Sequence, residues 1–167
     1  MRAILHCDNK WGIGKKNDLM FRLPLDMKFF RETTLGKVVV MGSNTLDSFP
    51  SGKPLSGRTN IVLFPGGAAR NDCLIVQSLD ALFAEIAKYP ADDVFVIGGA
   101  MMYRTLLPYC SEVLLTKVDA DGGAEVFFEN LDEKTDWELA TSSEPVTDNG
   151  YTIKFTTYKN NKVLQSK

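Results

Sequence analysis

The chain of 167 residues contains a single histidine, His6, and only three cysteines, Cys7, Cys73 and Cys110. One histidine narrows the catalytic repertoire. A serine–histidine–aspartate triad has only His6 to use, and no G-x-S-x-G elbow supplies its nucleophile. An odd, scattered set of cysteines without metal-ligand spacing argues against a zinc site and a disulfide framework. The cysteines read as packing residues, and a reducing cytoplasm is the expected compartment. No apolar run approaches the roughly 20 residues of a membrane helix, and Met1–Leu5 lacks a signal-peptide pattern. The G-x-x-x-x-G-K-[ST] phosphate loop is missing. Neither sign of charge dominates, with 19 basic and 21 acidic residues and a net charge of -2. Nucleic acid and anionic membranes are therefore not expected partners. What is present is 44% hydrophobic and 24% charged, the composition of one globular domain over residues 1–167.

Strand and helix patterns alternate along the chain. Arg2–Cys7 reads as a short buried strand, followed by a long loop from Asp8 to Arg22. Pro24 opens a helix on which Leu23, Met27, Phe30 and Thr34 follow helical spacing, with Gly36 beyond it. The β-branched run Lys37–Met41 predicts a central strand, and Gly42–Ser48 a short helix. Asn60–Phe64 and Cys73–Val76 read as strands, and Ser78 as the N-cap of a helix carrying Leu79, Leu82, Phe83 and Ile86. Asp93–Ile97 predicts a strand that Gly98-Gly99 joins to a helix ending at Pro108. Glu112–Val118 is a further strand, and Trp137–Thr141 and Tyr151–Tyr158 a terminal antiparallel pair. The whole predicts an α/β fold, mostly parallel, with an antiparallel edge.

Several residues have chemical potential. On a helix, Asp26, Met27 and Phe30 share a face. A carboxylate on such a stripe, if it faces the core, is poorly solvated. From spacing alone, its simplest role is to complement the positive end of the helix. Gly98-Gly99 and Gly42-Ser43-Asn44-Thr45 are both strand-to-helix junctions, where backbone N–H groups can meet a phosphate. Ligands of open α/β sheets bind at that edge. The loop 8–22 is long and carries Trp11, Ile13, Leu19, Met20 and Phe21, which suits a lid. Arg58 reads either as a surface ion pair or as a bidentate carboxylate anchor. Thr116 is either a core residue or a hydroxyl partner for a buried carboxylate. The pair Met101-Met102 reads as core.

Taken in order, these pieces resemble the dihydrofolate reductases. The matching stretches are W-G-I-G-K (11–15), L-P-x-D (23–26), F-F-R-E-T-T (29–34), V-V-V-M-G-S-N-T (38–45), G-K-P-L-S-G-R-T-N-I-V-L (52–63), V-F-V-I-G-G-A-x-x-Y (94–103) and L-L-T-K-V-D-A (114–120). The resemblance covers essentially the whole chain. It implies an eight-stranded, mainly parallel sheet with an antiparallel C-terminal strand and about four helices. The implied reaction is reduction of 7,8-dihydrofolate to tetrahydrofolate by NADPH, with NADH as an alternative hydride donor and antifolates as inhibitors. Asp26 would bond the pterin, with Thr116 supporting it. Ile4, Leu5, Met27, Phe30, Ser48 and Ile97 would line the substrate site, and Arg58 would hold the glutamate tail. His6, Ile13, Gly14, Gly42, Ser43, Asn44, Thr45, Leu63, Gly98, Gly99, Ala100, Met101, Met102 and Tyr103 would follow the cofactor. Gly98 and Gly99 would be cis-linked, and residues 9–22 would form a mobile lid. A monomer is the expected state.

The sequence departs from this family at positions that matter. Ser43, Phe64-Pro65 and Met101 stand where basic or hydroxyl residues commonly hold the 2′-phosphate of NADPH. A weakened preference for NADPH follows, unless Lys37 or Arg70 compensates. His6 stands where a small residue is usual. It either crowds the site or turns outward as a satisfied core histidine, and the second is the expectation. Phe21 replaces a tryptophan often found in the lid. The rival readings are a non-catalytic folate- or nucleotide-binding protein and a reductase of another pteridine or pyrimidine.

Overall fold

The computed structural model describes residues 1–16 and 18–165. Its strands are β1 (Arg2–Cys7), β2 (Gly12–Gly14), β3 (Val38–Gly42), β4 (Thr59–Leu63), β5 (Leu74–Val76), β6 (Val94–Gly98), β7 (Glu112–Val118), β8 (Val126–Phe127), β9 (Trp137–Ser142), β10 (Val146–Asp148) and β11 (Tyr151–Asn160). Four α-helices, α1 (Pro24–Thr34), α2 (Ser43–Ser48), α3 (Leu79–Ile86) and α4 (Ala100–Leu106), connect them.

The main sheet runs β10-β11-β7-β1-β6-β3-β4-β5, with β9 also paired to β11. Pairing from β5 across to β7 is parallel throughout. β11 is antiparallel to β7, and β9 and β10 are antiparallel to β11. The parallel strands are buried on both faces, which is why they read as continuous apolar runs. Val38 and Val40 belong to the core layer beside Leu82, Met102 and Leu106 of α3 and α4. Val39 and Met41 alternate to the opposite layer with Leu46 and Val62.

Local chemistry explains most boundaries. The Ser78 hydroxyl caps α3 by accepting the Ala81 N–H at 3.1 Å, as the sequence implies. α4 ends at Leu106, and Pro108 falls in the 3-10 turn after it. Three strands exceed the sequence expectation. β2 and β8 form a small antiparallel ribbon of their own, and β10 pairs Val146–Asp148 with Tyr151–Ile153. The parallel arrangement carries the ends of β1, β3, β4, β6 and β7 to one edge of the sheet, and the candidate site lies there.

Candidate active site

α1 begins without a cap of its own, because Leu23 supplies no side-chain acceptor. Asp148 does the work from the other end of the chain. Its Oδ1 and Oδ2 accept the backbone N–H groups of Leu25 and Asp26, both at 3.1 Å. Asp148 is buried, and a carboxylate at a helix N-terminus is favoured. This cap fixes the first turn of α1 and so the position of Asp26.

The Asp26 side chain is only 13% exposed. The Thr116 hydroxyl donates to its Oδ1 at 2.6 Å, so Thr116 is the partner of a carboxylate and not merely a core residue. His6 Nδ1 lies 3.4 Å from Oδ2. Parallel pairing explains the convergence: His6 and Thr116 are register partners on β1 and β7, and their side chains leave the same face. His6 is buried, but it does not turn outward as a satisfied core residue. Its Nδ1 faces Asp26, and its Nε2 has no hydrogen-bond partner among the described residues. The reason is that β1 aims His6 at the α1 side of the sheet, where Asp26 and Phe21 await it.

From Asp26 a stripe continues along α1 through Phe30 to Thr34, each four residues on. Those eight residues span about 12 Å. At the far end Thr34 Oγ1 accepts Arg58 Nε at 3.1 Å, and Arg58 Nη1 donates to the Ser56 carbonyl at 2.9 Å. The guanidinium lies 6.0 Å from the Phe30 ring centre. Arg58 forms no ion pair with an acidic side chain among the described residues. Burial, and then the nearby Arg31, lower its pKa. A cation so placed favours an anionic ligand.

Met27 turns away from the core, unlike Asp26 and Thr34 on the same helix, which corrects the sequence expectation. Met27 is 55% exposed, and Phe30 is half-buried. Ile97 is half-buried against the layer of Val39, Met41 and Leu46, together with Phe49 and Leu55. Phe49 and Leu55 escaped the sequence reading because they sit in a Pro- and Gly-rich turn without periodicity. Ile4 is buried on β1, and Leu5 half-buried. Ser48 is exposed and its hydroxyl donates to the Thr45 carbonyl at 2.6 Å.

Beside this stripe, β6 ends in a cis peptide between Gly98 and Gly99. Gly98 has φ 143°, and a Cβ there would stand 3.0 Å from Thr45 Oγ1. Glycine is what lets this turn approach α2 so closely. A Cβ on Gly42 would lie 3.3 Å from Met102 Cγ. Gly42 and Leu63 are register partners, as are Met41 and Gly98, so the starts of α2 and α4 lie side by side. Ser43 and Ala100 are half-buried and Asn44 is exposed there. Met102 and Tyr103 are buried, and the Tyr103 hydroxyl donates to the Ile4 carbonyl at 3.0 Å. Met101 is not core: it is 73% exposed, because it sits on the outer side of α4's first turn.

Both candidate cations already have acidic partners. Lys37 precedes β3, at the opposite end of that strand, and pairs with Asp93 at 3.0 Å. Arg70 is held by both Asp72 oxygens, at 2.8 and 2.7 Å, and by the Gly52 carbonyl at 3.1 Å.

The loop 8–22 is anchored at its start by buried Asp8. One oxygen accepts the N–H groups of Lys10 and Gly12 at 2.9 and 2.7 Å, and the other that of Gly122 at 3.1 Å. A Cβ on Gly12 would sit 2.3 Å from Ala124 Cβ, so only glycine fits against the facing loop. Gly14 and the half-buried Ile13 belong to β2. Residue 17 of the expected lid lies outside the described residues. Trp11 turns away from Asp26 and packs edge-on against Tyr158, with Lys117 Nζ 4.8 Å from its ring centre.

A carboxylate, a guanidinium and a glycine turn gathered along one strand edge define the class: an open α/β protein with its ligand site over the C-terminal ends of parallel strands. The chain belongs to the dihydrofolate reductase family, whose model matches residues 1–160. It is 35% identical over 150 residues to a dihydrofolate reductase of Bacillus subtilis, covering 88% of this chain and 86% of that one. A dihydrofolate reductase of Neisseria gonorrhoeae is 33% identical over 157 residues, covering 93% and 94%. Among solved structures, an Enterococcus faecalis dihydrofolate reductase complexed with NADP(H) and RAB-propyl superposes with a TM-score of 0.84 at 31% identity, covering 96% and 95%.

Proposed function

We propose that this chain reduces 7,8-dihydrofolate to tetrahydrofolate with a hydride from NADPH, and that Asp26 is the group on which the chemistry turns. The observation that carries this reading is the Asp26–Thr116 pair at 2.6 Å, set on the same helix face as the Phe30–Arg58 contact. An elongated ligand with a donor-rich ring at one end and carboxylates at the other matches that stripe.

In this mechanism Asp26 accepts the N–H donors of the amino-pyrimidine edge. An ionised carboxylate has about four lone-pair sites, so Thr116 leaves room for the ligand. Phe30, Met27, Leu5, Ile4 and Ile97 flank the ring system, Ser48 borders it, and Arg58 takes the tail carboxylate. The nicotinamide, when bound, supplies the hydride. The fixed negative charge of Asp26 stabilises the positive demand that grows in the pterin and favours arrival of a proton at N5 through water. The loop 8–22, by covering the site through Ile13 and Gly14, excludes bulk water and strengthens that field.

The glycine turn fits a dinucleotide, since a Cβ on Gly98 or Gly42 would fill the space against Thr45 or Met102. Gly98, Gly99, Ala100, Met101, Met102 and Tyr103 of the β6–α4 junction, with Gly42–Thr45, Leu63 and His6, would hold it. The 2′-phosphate fits less well: Ser43, Phe64, Pro65 and Met101 bring no cation, and Lys37 and Arg70 are engaged elsewhere. A second reading follows, in which NADH serves nearly as well as NADPH. On this account the enzyme works as a cytoplasmic monomer of one domain, with its three cysteines free.

Dihydrofolate-dependent oxidation of NADPH and of NADH, followed in parallel, tests both readings. Turnover with a small NADPH-to-NADH ratio is expected. No turnover with either, in a folded protein that still binds folate, would favour the binding-protein reading.

A further inference from the structure

We propose that His6 is a positioning residue for Asp26, directing a protonated Nδ1 at its second carboxylate oxygen while Thr116 holds the first. The inference rests on the reading of Asp26 as the group that meets substrate.

The geometry supplies two independent observations. First, His6 Nδ1 lies 3.4 Å from Asp26 Oδ2, and Thr116 Oγ1 lies 2.6 Å from Oδ1. The two side chains reach Asp26 from adjacent strands at the same register level. The carboxylate is thus flanked on both oxygens, one by a hydroxyl and one by a ring nitrogen. Contacts of this kind are often long without ligand and tighten in the Michaelis complex. Second, the residue is only 8% exposed, and Nε2 has no partner among the described residues.

Together these place the proton. A carboxylate oxygen can only accept, so the proton belongs on Nδ1. The neighbours of the ring agree. Phe21, from the loop, lies 6.0 Å away between ring centres, and β7 presents the uncharged Thr116. Asp26 of α1 is the ionisable group in contact with it. Holding both oxygens fixes the plane of the carboxylate and leaves one lone pair on each for paired ligand donors. A site held by Thr116 alone leaves the carboxylate free to rotate about its last bond, and a small misplacement of this kind is costly to rate.

The sole histidine makes the test direct. Long-range proton–nitrogen correlation spectra of the nitrogen-labelled full chain show one imidazole only. At a pH where the ring is neutral, the wild type is expected to show Nδ1 protonated and Nε2 bare. Asp26→Ala is expected to return the ring toward the Nε2-protonated form that an unconstrained histidine favours. In single-turnover hydride transfer, His6→Ala is expected to slow the reaction about tenfold, the size of one hydrogen bond to a charged group. His6→Asn, whose amide can still donate to Oδ2, is expected to recover most of that loss. An Nε2-protonated ring in the wild type overturns the proposal, and so does an Asn variant no faster than the Ala variant. The spectra need neither substrate nor turnover, so their outcome is separate from that of the dihydrofolate assay.

Discussion

The Asp148 carboxylate accepts the backbone N–H of Asp26 at 3.1 Å, although 121 residues separate them in the chain. One aspartate thereby sets the position of the other. The end of β10 closes the first turn of α1, and the Asp26 carboxylate inherits its place from that contact. Asp148→Ala removes a buried cap worth about 1–2 kcal/mol. The denaturation midpoint should fall accordingly, and hydride transfer should slow because Asp26 loses its backbone anchor. A variant that loses stability without losing rate would show that α1 holds its own start.

Arg58 makes no ion pair with an acidic side chain among the described residues, yet it is steered by Thr34 and Ser56. Arg58→Leu should raise KM for dihydrofolate by roughly tenfold or more, the loss of a charge-assisted contact. A truncated substrate lacking the glutamate tail should be affected little. Equal losses for both substrates would mean that Arg58 acts through the shape of the turn.

Much of this arrangement was legible in the residues, and the rest was not for identifiable reasons. The buried run Val38–Met41 and the Ser78 cap carry their own signals. Asp148 does not, because its partners lie at the other end of the chain. β2 and β8 exist only because two loops pair, and Gly12 and Gly14 offer no periodicity. Motif resemblance joined Asp26 to Thr116, but no spacing rule could do so across 90 positions. The sequence position of His6 does not say which way β1 faces. Its register with Thr116 does.

None of Ser43, Phe64, Pro65 and Met101 is a cation. Ser43→Arg should therefore tighten NADPH binding about tenfold or more and leave NADH unchanged, measured by titration calorimetry. Equal tightening of both cofactors would place the new charge away from the 2′-phosphate.

Burial pushes the thiols of Cys7 and Cys110 up from 9.0 to about 12. They remain protonated in the folded chain after their unfolded counterparts have ionised. Their contribution to stability is whole below pH 9 and is lost as pH rises toward 12. Urea midpoints should decline on that alkaline side, less steeply in a Cys7→Ala, Cys110→Ala double variant. Identical slopes would assign the decline to other groups, such as Tyr103, whose hydroxyl burial also pushes upward.

The most direct test of the account is the single-turnover rate of dihydrofolate reduction by wild type and by Asp26→Asn, beside their unfolding midpoints. The amide keeps the shape of the side chain and removes its charge. The account predicts a fall of about a hundredfold or more in hydride transfer, with the unfolding midpoint nearly unchanged. A wild type that turns over dihydrofolate and an Asp26→Asn variant that does so equally well would contradict it.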